Sequence, residues 1–249
     1  MALLSVRNVS MAFGSLIAND DVTFDVDKGS IVGLIGPNGA GKTTLFNCIS
    51  GICRPTAGTI RFDGVDITRS PAGRTARLGA VRTFQVVHPL QEMTVTDNVM
   101  VGAFLRHRKP AAARAVANQC MDLCQLKDFR DKRAGSLTIG TKKRLEVARA
   151  LATGARLLML DEAMAGLTST EVRESVELIT HLKAEGLTLL VVEHIMEAIM
   201  PIADKLVVLD GGKKIAEGPP DTIIRDERVV AAYLGTKFSQ KMKPSVAWK

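Results

Sequence analysis

The segment Gly36–Thr44, GPNGAGKTT, follows the order G-x-x-x-x-G-K-[ST]. Those residue types suit a phosphate chain. Gly36, Gly39 and Gly41 let backbone N–H groups close around phosphate oxygens, and a helix beginning near Lys42 would point its positive dipole end at them. Lys42 has the reach for β- and γ-phosphates, and the Thr43 hydroxyl can ligate Mg²⁺. Pro37, Asn38, Ala40 and Thr44 complete the candidate phosphate-binding run.

The second chemical element is LLMLDE, Leu157 to Glu162. An apolar strand that ends in two acids delivers carboxylates to the carboxyl edge of a sheet, where open α/β folds bind ligands. Asp161 is the expected Mg²⁺ holder, directly or through water. Glu162 is the expected base that orients and deprotonates an attacking water. Neither D-x-x-G nor N-K-x-D occurs in the chain, which argues against a GTPase.

The elements around these residues read as a strand and helix alternation. LLSVRNV and VTFDV alternate in β fashion, and SIVGLIG is a short buried-type run leading into the glycines. GKTTLFNCIS reads as a helix stopped by Gly51, and TIRFDGVDI as a hairpin turning at Asp63-Gly64. From about Ser70 to Arg133 the chain becomes basic and largely helical, with two helices separated by Pro110, and reads as a subdomain inserted between strand-rich portions. Alternation then resumes: helix 141–152, strand RLLML, helix 169–184, strand LTLLVV, a helix near 195–201, strand KLVVL, and a closing hairpin at DGGK. Such alternation implies a largely parallel sheet covered on both faces.

The chain of 249 residues suits one large α/β domain with a helical insertion. Its 33 Lys+Arg against 26 Asp+Glu leave a formal charge of +7, compatible with nucleic acid, an anionic membrane surface or polyanionic ligands. Cys48, Cys53, Cys120 and Cys124 form no C-x-x-C pair and no zinc-type spacing, and are expected as buried free thiols in a reducing compartment. No signal-peptide pattern opens the chain. No apolar run approaches the ~20 residues that span a bilayer. The basic ending KFSQKMKPSVAWK, with Pro244 and Trp248, reads as a disordered tail.

Taken together, these motifs resemble the ATP-binding cassette subunits of membrane transporters, and the resemblance covers essentially the whole chain. It implies an α/β fold: a P-loop NTPase core with a mixed sheet, an antiparallel β subdomain and an inserted α-helical subdomain. The whole, 1–249, would be a single ATPase domain with the helical subdomain at about 86–155 and a C-terminal extension at about 219–249. Three further residues fall in the family's order. Phe13 matches the aromatic that stacks on adenine. Gln85, in RTFQ, matches the glutamine that senses Mg²⁺ and the attacking water, and His194 the switch histidine at the γ-phosphate. RTFQVVHPLQEMTVTDNVMVG, KRLEVARAL, DEAMAGL and AAYLG resemble the versions found in branched-chain amino acid importers.

Two departures stand out. Where the family reads L-S-G-G-Q or L-S-x-G-Q, this chain has Leu137-Thr138-Ile139-Gly140-Thr141. Thr138 keeps a hydroxyl and Gly140 keeps a residue without Cβ. The resemblance implies that both face the γ-phosphate of ATP held by an opposite subunit. Ala163 stands where Pro is usual, and Thr168 where the family has an Asp that couples the two sites.

The resemblance implies ATP and Mg²⁺ as ligands, and a second cassette subunit, alike or different. Separate transmembrane permease subunits are implied too, served indirectly by a periplasmic or extracellular substrate-binding protein. The place of work would be peripheral, on the cytoplasmic face of the inner membrane. The competing readings are a soluble cassette acting on nucleic acid or ribosomes and the cassette of a lipid or lipopolysaccharide exporter. One cassette without sustained heptads in the insertion disfavours the first, so no nucleic-acid partner is expected.

Overall fold

The computed structural model describes residues 1–84 and 86–234. The chain opens with β1 (Ala2–Phe13), β2 (Leu16–Asp27) and β3 (Ile31–Ile35), then turns through the glycine-rich loop into α1 (Lys42–Ser50). It continues with β4 (Ala57–Phe62), β5 (Val65–Asp66), α2 (Ala72–Leu78) and β6 (Ala80–Arg82). Three helices follow, α3 (Val95–Ala103), α4 (Pro110–Leu123) and α5 (Ile139–Ala152). The last part alternates β7 (Leu157–Asp161), α6 (Ser169–Ala184), β8 (Thr188–Val192), α7 (Met196–Ile199) and β9 (Lys205–Asp210). β10 (Lys213–Gly218), α8 (Pro220–Ile223) and α9 (Glu227–Leu234) complete it.

These strands form two sheets. An antiparallel sheet runs β2-β1-β4-β5, and a mixed sheet runs β10-β9-β3-β8-β7-β6. In the mixed sheet only the β10–β9 pairing is antiparallel. Every residue of β3, β7 and β8 is buried, as strands covered on both faces require, and this explains their unbroken apolar runs. Turn chemistry sets the two predicted hairpins. Asp63 and Gly64 both have positive φ between Phe62 and Val65, and Gly211 and Gly212 do the same between Asp210 and Lys213.

Two hydrophobic cores result. One, with Leu34, Phe46, Phe62 and Leu157, lies where the two sheets enclose α1. The other, with Met121, Leu145, Leu160 and Ile179, joins the opposite face of the mixed sheet to the helices. The basic stretch from Ser70 is not one unit: β6 enters the mixed sheet beside β7, pairing Ala80 with Leu157. Composition changes there before the architecture does. Pro110 starts α4 rather than interrupting a helix, because its missing N–H falls where a helix leaves that group unbonded anyway.

All four cysteines are free thiols; Cys48, Cys120 and Cys124 are buried and Cys53 is partly exposed. Burial pushes the Cys48 thiol up to about 12 and Cys120 to about 11. Among the described residues, no helix is long and apolar enough to cross a membrane.

Candidate functional site

β3 ends at Ile35, and the next nine residues form the loop and helix start anticipated from their spacing. Gly36 has φ +150°, Gly39 +81° and Gly41 +96°, so each glycine occupies backbone space that side chains disfavour. Two of them are also crowded. A Cβ on Gly36 would sit 2.1 Å from the Leu209 carbonyl oxygen, and one on Gly41 2.3 Å from that of Ala18. Gly41 caps α1 in the left-handed conformation.

Lys42 is buried and folds back over its own loop, donating to the carbonyls of Gly36 (2.7 Å) and Pro37 (2.9 Å). Burial lowers its pKa below the ordinary lysine value, and the nearby Glu162 and Asp161 charges pull it part of the way back. A cavity of about 540 Å³ opens in front of the loop. Asn38, Gly39, Ala40, Gly41, Lys42, Thr43 and Thr44 line one side, Phe13 stands at another, and Glu162 reaches the same space. Phe13 is 51% exposed, with Leu16 and Ile17 exposed beside it, an open apolar wall at the mouth.

Asp161 ends β7 and is buried. Its Oδ2 accepts from Arg82 at 2.7 Å, while Oδ1 is buried with no hydrogen-bond partner among the described residues. Burial raises the Asp161 pKa, against the pull of the Arg82 guanidinium. Glu162 follows with φ +49°, a strained conformation for a residue with a Cβ. The strain is held from outside: Lys143 of α5 donates to the carbonyls of Glu162 (3.1 Å) and Ala165 (2.7 Å), and the Glu162 N–H donates to the Val192 carbonyl.

The fully buried Glu193 accepts the Met164 N–H at 2.8 Å. Burial raises its pKa above the ordinary glutamate value. His194 comes next, exposed beyond the end of β8 and outside the cavity lining. Gln85 lies outside the described residues.

Thr138 and Gly140 stand at the start of α5, away from the cavity. Thr138 is the N-cap of α5; its hydroxyl accepts the Thr141 N–H at 3.3 Å and lies 3.0 Å from the Thr141 hydroxyl. The replacement Thr141 thus completes a local cap. Gly140 has a reason within the chain to lack a Cβ, which would sit 2.5 Å from Glu171 Oε1. Glu171 belongs to a capping box with Thr168, in which the Thr168 hydroxyl receives the Glu171 N–H and the Glu171 carboxylate receives the Thr168 N–H. Thr168, in place of an Asp, starts α6.

Four side chains here escaped motif reading: Asn19, Arg82, Lys143 and Glu193. Asn19 is fully buried and donates to the Gly41 carbonyl at 3.2 Å, bracing the loop from β2. Glu193 carries a usable signal, since an acid directly after LLVV at a strand end lands in the interior. Arg82 sits inside RTFQ beside the glutamine that drew attention. Nothing local marks Asn19 or Lys143.

A family model described as ABC transporter matches residues 19–165, and one described as branched-chain amino acid ATP-binding cassette transporter matches residues 213–239. The chain is 40% identical over 250 residues to BraF of Pseudomonas aeruginosa, a high-affinity branched-chain amino acid transport ATP-binding protein. That match covers 94% of this chain and 98% of BraF. LivG of Salmonella typhimurium, named for the same role, is 39% identical over 249 residues, with 94% and 98% covered. Among solved structures, the ADP conformation of MJ1267, an ATP-binding cassette of an ABC transporter, matches with TM-score 0.86. It is 32% identical, and the match covers 94% of this chain and 99% of that one.

Proposed function

The chain belongs to the ABC transporter family of ATP-hydrolysing cassettes, and from that premise we propose that it powers uptake of branched-chain or related amino acids through separate transmembrane permease subunits. The carrying observation is the single cavity that brings Phe13, the glycine-rich loop, Lys42, Thr43 and Glu162 together. ATP enters with its adenine on Phe13. Its phosphates take the place of the Gly36 and Pro37 carbonyls as partners of Lys42, and backbone N–H groups of the loop and the α1 start, other than that of Ala40, which is bonded to Pro37, donate to the remaining oxygens.

Mg²⁺ fits the residues present: the buried Oδ1 of Asp161 is an acceptor with no donor among the described residues, and Thr43 supplies a hydroxyl on the cavity wall. When bound it would neutralise charge on the β- and γ-phosphates. Glu162 orients and deprotonates the water, and its backbone turn is fixed by Lys143. His194, outside the cavity lining beyond the end of β8, would serve the γ-phosphate once ATP is bound, and Gln85 would serve at the junction with the helical part, about 86–155. Thr138 and Gly140 face the ATP of a second cassette subunit, so the α5 cap becomes part of a composite site only on dimerisation.

A strip of exposed apolar side chains supports a membrane partner. Phe84, Val86, Leu90, Val101, Phe104 and Leu105 are all exposed: the first three lie between β6 and α3, Val101 is in α3, and the last two follow its end. The subunit would therefore sit peripherally, at the cytoplasmic face. The names of BraF and LivG support the amino-acid substrate.

Glu162→Gln tests the chemistry. ATP binding should persist while turnover falls by about 10²–10⁴, the usual contribution of a general base. Turnover at the wild-type rate removes Glu162 from that role. Reconstitution with the co-purifying permease tests the pairing; ATPase activity that responds to RNA or ribosomes and never to a permease overturns the transport reading.

A further inference from the structure

Arg82 ends β6 with its side chain only 7% exposed, and all three guanidinium nitrogens are committed. Nη2 donates to Asp161 Oδ2 at 2.7 Å, Nη1 to Asn47 Oδ1, and Nε to the Thr83 carbonyl at 3.2 Å. The rings of Phe46 and Phe84 flank it, with centroids 5.8 and 4.9 Å from the guanidinium carbon. The backbone is pinned as well, because the Phe84 N–H donates to Glu146 of α5 at 3.0 Å.

A buried ion pair kept only for stability gains most from the two-bond fork between guanidinium and carboxylate. Arg82 does not make that fork. It spends a single bond on Asp161 and the others on Asn47 and the backbone, and Asp161 Oδ1 has no partner among the described residues. We propose that Arg82 is a positioning residue: it holds Asp161 by one oxygen in a fixed orientation so that the other remains available to the nucleotide's metal ion. Asn47 from α1 fixes Arg82 in turn, which ties the carboxylate to the helix that begins with Lys42 and Thr43. The shape of the site demands arginine, since one ammonium cannot span Asp161, Asn47 and the Thr83 carbonyl in a plane between two rings.

This inference rests on the reading of Asp161 as the metal-holding carboxylate, and the test separates the two. Mn²⁺ is titrated into the full-length protein with ADP, free Mn²⁺ is read by electron paramagnetic resonance, and ADP affinity is measured separately in EDTA. Arg82→Gln should raise the Mn²⁺ concentration for half-saturation by about ten- to hundredfold, the usual cost of losing a group that orients a metal ligand. ADP affinity in EDTA should stay at the wild-type value. Arg82→Lys should fall between the two.

Wild-type Mn²⁺ curves in Arg82→Gln and Arg82→Lys overturn the inference. Should Arg82→Gln fail to fold by circular dichroism, Arg82→Lys and Asn47→Ala decide, and wild-type curves in both overturn it equally. Asp161→Asn is the separating control. If it binds Mn²⁺ as the wild type does, the metal reading of Asp161 itself fails. If it loses Mn²⁺ while the Arg82 variants do not, only the positioning role falls.

Discussion

The loop Gly36–Thr44 and the loop that follows Asp161 face one cavity, yet they are held by opposite means. The first is closed mostly by its own residues. Lys42 returns to the carbonyls five and six positions earlier, the Ala40 N–H donates to Pro37, and the Leu45 N–H donates to Gly41. Its positive-φ positions are all glycine. The second has a glutamate at φ +49° and is held from far along the chain, by Lys143, Val192 and Glu193, with Asp161 held by Arg82. A loop that binds phosphate must leave its N–H groups free, so conformation alone has to shape it. A loop that aims carboxylates needs opposite charges and donors from other elements.

The largest expected effect breaks the self-contained loop. In Gly36→Ala the new Cβ meets the Leu209 carbonyl of β9, a backbone atom with no freedom to move, at a φ alanine disfavours. Strain and overpacking together predict about 3 kcal/mol or more of lost stability, read as a lower urea midpoint without nucleotide. A midpoint at the wild-type value would mean that the loop is not shaped by this close approach.

The next effect falls on the externally held loop. Lys143→Met removes the donor to the Glu162 and Ala165 carbonyls, and two partly buried acceptors lose their partner at about 1–3 kcal/mol in total. Because the turn carries Glu162, turnover should fall about tenfold, some 1.4 kcal/mol of barrier. ATP affinity should stay at the wild-type value, and Lys143→Arg should recover part of the rate. Equal losses of affinity and turnover would erase the contrast between the loops.

That contrast also explains what the sequence discloses. The phosphate loop is legible because glycine spacing and its conformational requirements are adjacent in the chain. The three central strands are legible because burial on both faces leaves an unbroken apolar run. Capping at Thr138 is equally local, and so is the hairpin at Asp63-Gly64. The partners of Asp161 and of the loop after it are not legible in this way. Arg82 meets Asp161, 79 positions further on, only because β6 pairs with β7. Lys143 meets the acid loop only because α5 crosses the helix-facing core. The boundary read from basic composition at Ser70 misses β6 for the same reason, since sheet membership is decided by pairing and not by charge.

The smallest effect concerns Glu193, whose Oε1 receives the Met164 N–H and whose Oε2 is buried without a partner among the described residues. Burial raises its pKa in the folded protein, more than the hydrogen bonds from Met164 and His194 and the Lys143 charge lower it. Above the ordinary glutamate value of 4.5 the folded state therefore binds more protons than the unfolded chain. Stability contributed by this group then declines as pH rises through the folded-state value. Glu193→Gln keeps an acceptor for Met164 and does not titrate. Wild-type stability relative to this variant should decrease steadily from pH 4.5 toward neutrality, measured by urea melts at successive pH values. The opposite trend would mean that the charged carboxylate, paired with Lys143, is the form that fastens the loop. The glycines of the phosphate loop offer pH no such handle, so a trend of either sign would mark the acid loop as the half of the site set by charge.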